Sequence, residues 1–253
     1  MDVNIAAPPV NRGKTATAVL FDLDGTLVDP AGGITQGIEY ALRTMDLPSP
    51  GLDALNAMVG PKLADALVTF AGVPLDTVPA VIAAYRVWYG RQGMAMSVLY
   101  PGIKDLLTQL KAAGVPLAVA TQKPEPLAKK LLALHEIDQL FTVIKGSHAD
   151  ETLMPGAPGY RAGKSEIIAA ALTELSELGD LADGAGSAAV MVGDRHQDVR
   201  GAQDNGLDCI GVSWGFAADG ELAAAGVTAV VHSADELAQE LTQTFLEARD
   251  GAL

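Results

Sequence analysis

Short apolar runs alternate with longer stretches of helical period along most of the chain. Runs at 18–22, 115–120, 142–145, 188–192, 208–212 and 228–231 suit buried strands. Helical spacing fills 103–113, 125–134, 165–178 and 235–247, and Ile167, Ile168, Ala171, Leu172 and Leu175 show it most clearly. Strands that alternate with helices predict βαβ units on a parallel sheet, so the fold class is α/β. Residues 30–100 lack strand signals and look helical throughout. The pattern divides the chain into a core of 15–29 and 101–253 and an inserted helical cap domain of 30–100. Residues 1–14, with Pro8, Pro9 and Gly13, read as a loose N-terminal tail. No internal repeat is visible.

The first strand ends on Asp22-Leu23-Asp24-Gly25-Thr26. Side chains two apart on a strand point the same way. Two acids facing one way at the end of a buried strand repel each other unless a cation or a proton separates them. Such a pair can provide a nucleophile, a proton donor and half of a divalent metal site. A second apolar strand ends on Gly193-Asp194, with Asp198 four residues later, and an immediate helix would bring the two acids to one side. The strand 115–120 runs into Thr121-Gln122-Lys123-Pro124. Pro124 suits a first helical turn and sets Thr121 just ahead of a helix N-terminus, where N–H groups and the dipole favour an anion. Lys164 opens the helical segment 165–178, a poor place for a cation beside the helix dipole, which suggests that its charge is used elsewhere.

Taken in order, Asp22-Leu23-Asp24-Gly25-Thr26, Thr121, Lys164 and Gly193-Asp194 with Asp198 resemble the four motifs of the haloacid dehalogenase (HAD) superfamily. Most of its members are magnesium-dependent phosphatases that act through an aspartyl-phosphate. The resemblance extends to Tyr85-Arg86 and Tyr100-Pro101-Gly102-Ile103, which resemble the cap helix and core re-entry of phosphoglycolate phosphatase-like members. Thr121-x-Lys123-Pro124 with Gly193-Asp194-Arg195 also resembles a 5′-nucleotidase-like branch.

The resemblance implies a Rossmann-like three-layer core with a cap, and hydrolysis of phosphoglycolate or a nucleoside 5′-monophosphate. Asp22 would be the nucleophile and Asp24 the acid and base. Mg²⁺ would be held among Asp22, Asp24 (through its carbonyl) and Asp194, with Asp198 behind them orienting Asp194, a metal water or Lys164. Thr121 and Lys164 would face the phosphoryl oxygens, and Gln122, Lys123, Arg195 and the cap's Lys62 would add substrate contacts. The partner implied is a small phosphorylated metabolite, and the chain a monomer or homodimer. The sequence departs from the family's pattern at Gln122, where a smaller Ser or Asn is more usual, and in the long, Gly-rich loop 155–163. That loop leaves Lys145 as a rival to Lys164.

Composition narrows the partners. The net charge is −14, and residues 30–100 hold four Lys or Arg against five Asp or Glu, leaving thirteen against twenty-six elsewhere. An acidic surface argues against nucleic acid, which needs a basic face. It does not oppose a small phosphate, because a metal and a few buried cations set the local potential. The hydrophobic fraction of 49% is enough for a sizeable core. The single cysteine, Cys209, expected buried in a strand, excludes an internal disulfide and fits a reducing cytosol, so a cytoplasmic location is expected. Met1 to Thr17 lacks a signal-peptide core, and no run approaches a membrane span.

Other chemistries compete. A sugar phosphomutase resembling β-phosphoglucomutase would keep the same motifs. A haloacid dehalogenase needs neither Mg²⁺ nor an acid at position 24, and Asp24 therefore argues for phosphate. Every catalytic position of the family is filled, which disfavours a non-enzymatic binding module. Gly211-Val212-Ser213-Trp214-Gly215 matches a nucleophile elbow with Asp219 and His232 in hydrolase order, but the required helix does not follow at once. The four histidines, 135, 148, 196 and 232, show no zinc spacing. Tyr85, Trp88 and Tyr89 share a helix face and read first as the cap's own core; a ring facing the site would instead stack on a nucleobase.

Overall fold

The computed structural model describes residues 18–150, 157–181 and 189–250. The expected tail at 1–14, residue 188 of the fourth expected strand and part of the 155–163 loop lie outside them.

The chain leaves β1 (Ala18–Phe21) through a tight turn into β2 (Val28–Asp29), makes a long helical excursion, and returns on β3 (Val98–Leu99). β2 and β3 pair antiparallel, Val28 opposite Leu99 and Asp29 opposite Val98, so both crossings into the excursion lie side by side. Two-residue strands carry no period, and the sequence pattern does not reveal them.

β1 pairs in parallel with β4 (Leu117–Pro124) on one side and β6 (Ala189–Gly193) on the other. β5 (Val143–Ser147) lies beyond β4, and β7 (Asp208–Val212) and β8 (Ala229–Val231) lie beyond β6. The six strands are parallel throughout. β1 is apolar on both faces because the sheet is covered on both. Val19 and Phe21 pack with Leu106, Leu107 and Leu110 of α6 (Ile103–Ala112), with α7 (Glu125–Leu134), and with Leu237 and Leu241 of α11 (Ala234–Asp250). Ala18 and Leu20 pack with Ile167, Ile168 and Leu175 of α8 (Lys164–Glu177) and Val199 of α9 (His196–Asp204). This is a three-layer α/β core. Truncating Leu20, fully buried in it, to Ala would cost about 2–5 kcal/mol.

The excursion carries α1 (Gly33–Thr44), α2 (Leu52–Ala57), α3 (Leu63–Ala71), α4 (Val78–Trp88) and the short α5 (Met94–Met96), with a wide π-type turn at Tyr89–Gly93. Ile38, Leu42, Leu67, Val81, Tyr85 and Tyr89 form a separate buried cluster within this insert. α1 comes close to α4 because Gly37 has no side chain: a Cβ there would lie 2.8 Å from Trp88 Cε3. The Tyr85 and Tyr89 rings stack at 5.4 Å.

One local expectation fails. β4 does not stop at 120 but runs on to Pro124, pairing it with Ser147 after a register shift. α7 then begins at Glu125, with Pro126 in its first turn. Thr121 therefore sits within the strand, not at a helix N-terminus. Cys209 is buried in β7. Among the described residues no helix is long and apolar enough to cross a membrane.

Candidate active site

The C-terminal ends of β1, β4 and β6 meet at one point, the edge where parallel α/β sheets bind ligands. After β1 the chain turns on the Leu23 carbonyl, which accepts the N–H groups of Leu27 and Val28, both at 3.0 Å. Gly25 takes φ +92°, and a Cβ there would fall 2.3 Å from Asp194 Oδ2. Glycine is required twice over, for its conformation and for the approach of Asp194. The turn buries Asp22 and Asp24 side by side at the sheet edge.

Asp194 ends β6 and is fully buried. Thr26 Oγ1 donates to its Oδ1 at 3.1 Å, and the Phe216 N–H donates to its Oδ2 at 2.8 Å. Trp214 closes the same loop by donating from Nε1 to the Thr26 carbonyl at 3.1 Å. Asp198, in the first turn of α9, accepts the Arg195 N–H at 3.0 Å. Lys164, at the start of α8, is almost fully buried and donates to Asp22 Oδ1 at 2.7 Å and to the Ala120 carbonyl at 2.9 Å. It also pairs with Asp198 Oδ1 at 2.7 Å. Gly201 of α9 permits this: a Cβ there would meet Lys164 Cγ at 2.8 Å. Lys145, the rival, instead pairs with Glu174.

Asp22, Asp194 and Asp198 each present one oxygen within 4.8 Å of the others. The surrounding charges do not balance. Asp22, Asp24, Asp194 and Asp198 lie with two lysines, Lys123 and Lys164, while the buried Arg195 is matched by Glu221, so four negative less two positive charges leave two negative. Burial and the charges of Asp198 and Asp22 push Asp194 well above the ordinary carboxylate range. Burial likewise raises Asp198 to about 6, even with Lys164 drawing it down. Burial opposes the Lys164 ammonium, but Asp198 and Asp22 outweigh it and hold the charge in place. An all-oxygen cluster short of two positive charges fits a hard divalent cation.

Asp24 takes a different partner. Lys123 Nζ donates to its Oδ2 at 2.7 Å and lies 4.8 Å from the centre of the Tyr89 ring. Among the described residues nothing hydrogen-bonds its Oδ1, although that atom is buried. Thr121 is buried beside it and accepts the Lys123 N–H at 3.2 Å. A cleft of about 60 Å³ opens here, between Asp22, Asp24 and Thr121 on the core side and Gly60, Pro61 and Tyr85 on the insert side.

Gln122, Arg195 and Lys62 make other contacts. Gln122 Nε2 donates to the Gly60 carbonyl at 3.1 Å. Arg195 Nη1 donates to the Val59 carbonyl at 2.6 Å, and its Nε to Glu221 Oε1 at 2.9 Å. Lys62 Nζ donates to the Arg161 carbonyl and lies over the Tyr160 ring. Ser213 Oγ does meet His232 Nδ1 at 2.7 Å, on the surface. Among the described residues Asp219 makes no hydrogen bond to His232, whose backbone N–H goes to Glu236, so the hydrolase triad is not assembled. Sequence reasoning missed Thr26, Phe216 and Glu221, which hold the site through a hydroxyl, a backbone N–H and a carboxylate respectively.

A family model described as haloacid dehalogenase-like hydrolase matches residues 19–212, from the second residue of β1 to the end of β7. The chain belongs to that family. It is 38% identical over 231 residues to a tyrosine-protein kinase, PtkA, of Mycobacterium tuberculosis, across 90% of this chain and 74% of the relative. It is 34% identical over 209 residues to a 5′-nucleotidase of Pseudomonas aeruginosa, across 81% and 86% of the two chains. A phosphoglycolate phosphatase of Yersinia pestis is 32% identical over 211 residues, across 80% and 83%. The crystal structure of a predicted phosphatase from Clostridium acetobutylicum superimposes with a TM-score of 0.78 at 35% identity, across 91% of this chain and all of that one. This HAD-family chain is an enzyme, a phosphoric monoester hydrolase.

Proposed function

We propose that the enzyme is a Mg²⁺-dependent phosphatase that hydrolyses a small phosphate monoester, of the phosphoglycolate or nucleoside 5′-monophosphate type, through an aspartyl-phosphate on Asp22. The observation that carries this reading is the split between the two acids of one turn. Asp22 belongs to the buried charge-deficient cluster with Lys164, while Asp24 pairs with Lys123 at the cleft wall. Their different environments support different roles for the two acids.

Asp22, Asp194 and the Asp24 carbonyl would hold the ion, with Asp198 steadying Lys164 beside them. When bound, the ion supplies positive charge against the nucleophile and the phosphoryl oxygens. The Asp22 carboxylate attacks phosphorus, and the bond to the leaving oxygen breaks as Asp24 delivers its proton to that oxygen. Asp24 then takes a proton from water, whose oxygen attacks the same phosphorus and frees Asp22 and phosphate. Lys164 and the Thr121 hydroxyl offer donors to the equatorial oxygens. A phosphoryl group entering the cleft would compete with Asp24 for the Lys123 ammonium, which now donates to Asp24 Oδ2 at 2.7 Å.

The cleft, of about 60 Å³, is walled on the insert side by Gly60, Pro61 and Tyr85. That supports the smaller substrate with the insert acting as a cap in this position; a nucleoside would need the cap displaced. The similarity to PtkA supports a second reading, in which a tyrosine oxygen replaces water as the acceptor of the phosphoryl group.

The deciding experiment compares kcat/KM with Mg²⁺ for phosphoglycolate, nucleoside 5′-monophosphates and glucose 1-phosphate, and assays a tyrosine peptide with ATP. Release of phosphate from one of the first two is expected. Glucose 6-phosphate as product would establish a mutase, and phosphotyrosine would establish the kinase reading. Asp24→Asn is expected to slow hydrolysis by about 10²–10⁴-fold, less for p-nitrophenyl phosphate, whose leaving group needs no proton. An equal loss for good and poor leaving groups would remove Asp24 as the acid.

A further inference from the structure

Two residues that directly follow site residues in the chain reach out of the core to the same loop of the insert. Gln122 follows Thr121, and its Nε2 donates to the Gly60 carbonyl at 3.1 Å. Arg195 follows Asp194, and its Nη1 donates to the Val59 carbonyl at 2.6 Å. The two acceptors are consecutive peptide groups in the loop between α2 and α3. Gly60 sits at φ +105°, where a glycine turns the chain without strain, and a Cβ there would lie 3.2 Å from Arg195 Cγ. The loop is thus shaped to receive both donors.

The core side is held by contacts that do not involve the insert. Glu221 accepts from Arg195 Nε at 2.9 Å, from the His196 N–H at 3.0 Å and from the Ala218 N–H at 3.0 Å. Arg195 therefore presents its outer nitrogen in one direction, with little rotamer freedom left to lose. Phe216, whose N–H holds Asp194, packs its side chain against the buried cluster of the insert. The strand ends that carry Thr121 and Asp194 and the loop that roofs the cleft are one connected structure.

We propose that Gln122 and Arg195 are positioning residues that latch the 59–60 loop of the insert onto the ends of β4 and β6, and so set the fraction of enzyme with its cleft closed. This rests on the phosphatase reading for its kinetic consequence but not for its structural one. If the latch holds the closed state, weakening it leaves kcat at saturating substrate nearly intact, because bound substrate draws the insert shut. KM rises in inverse proportion to the closed fraction that remains.

The test uses Gln122→Glu, which keeps the shape but removes the donor, and Arg195→Lys, which keeps charge for Glu221 but shortens the reach to Val59. Spin labels at Leu75→Cys on the insert and Leu134→Cys on α7, both exposed, report the distance between the two parts by pulsed electron resonance; native Cys209 is buried. Each variant is expected to shift the distance distribution to longer values without substrate, and to raise KM for p-nitrophenyl phosphate about tenfold, the scale of one hydrogen bond, with kcat within threefold. An unchanged distribution in both variants would overturn the latch. If KM then still rose, the two side chains would belong to the substrate itself. Because the distances are read without turnover, they decide the latch even if the phosphatase reading fails.

Discussion

At Gly215 a single methyl group should displace Asp194 without straining the backbone. A Cβ there would lie 2.3 Å from Asp194 Oδ2, 2.4 Å from its Cβ and 2.5 Å from its Cγ. Ordinary contact begins near 3.4 Å, so in Gly215→Ala the Asp194 carboxylate must retreat by about 1 Å. The backbone is not the obstacle, since Gly215 is not among the positive-φ glycines. Retreat breaks the hydrogen bonds from Thr26 and from the Phe216 N–H, leaving buried polar groups unsatisfied. A displacement of about 1 Å in a catalytic group costs on the order of 10²-fold in rate. Overpacking costs about 1–3 kcal/mol of stability, and about 2–4 °C per kcal/mol in a chain of this size. Gly215→Ala should therefore lose about 10²-fold in kcat/KM on p-nitrophenyl phosphate, need more Mg²⁺ for half-activation, and melt only several degrees lower. A variant within threefold of wild type with an unchanged Mg²⁺ dependence would show that Asp194 does not need its present position.

Three further outcomes are expected. Asp22→Asn should abolish turnover while keeping the circular dichroism spectrum, because an amide cannot form the acyl phosphate; activity within tenfold of wild type would remove the nucleophile assignment. Mg²⁺ should raise the melting temperature of the wild type at pH 7 and not that of Asp194→Asn, since the ion relieves the buried carboxylates; an equal rise in both would place the ion elsewhere. Hydrogen bonds from His196, Ala218 and Arg195 outweigh burial and hold Glu221 near pKa about 2, below its ordinary 4.5. Its stabilisation is full above pH 4.5 and is lost as the pH falls through 2. Glu221→Gln should thus cost about 1–3 kcal/mol at pH 7, allowing for solvent screening, and a gap that persisted undiminished at pH 2 would contradict the assignment.

The sequence shows the chemistry of this site more readily than its architecture. Asp22, Asp24, Asp194 and Lys164 stand out because acids or a lysine at the edges of apolar segments oppose the ordinary preferences of strands and helix ends. β1 was legible for the same reason, as both its faces are apolar. Lys164 was preferred to Lys145 from its place before the helix, but its contact with Asp22 depends on the packing of α8 against the sheet and α9. Thr121 was found, but the helix terminus expected beside it was not: β4 continues through the bulge before Pro124. Gln122, Lys123 and Arg195 read as phosphate contacts because each is a donor near a motif. Their partners, two backbone carbonyls and Asp24, leave no mark in a sequence. The Tyr85–Tyr89 stack follows from spacing, whereas the approach of Tyr89 to Lys123 depends on how the insert sits on the core.

The strand order also governs how the protein is made. β1, the first described strand to leave the ribosome, is the middle of the finished sheet, with β4 on one side and β6 on the other. Ninety-nine positions separate Ala18 from Leu117, the first residue of β4. At roughly 5–20 residues per second, β1 waits about 5–20 s for its first neighbour and longer for its second. Over that interval the helices of the insert, whose contacts are local, are complete. Until then β1 is an unpaired apolar strand, Asp22 at its end lacks Lys164, Asp194 and Asp198 as neighbours, and Asp24 lacks Lys123. The buried acid cluster therefore assembles only after β6 has paired, and an unfinished chain does not carry it.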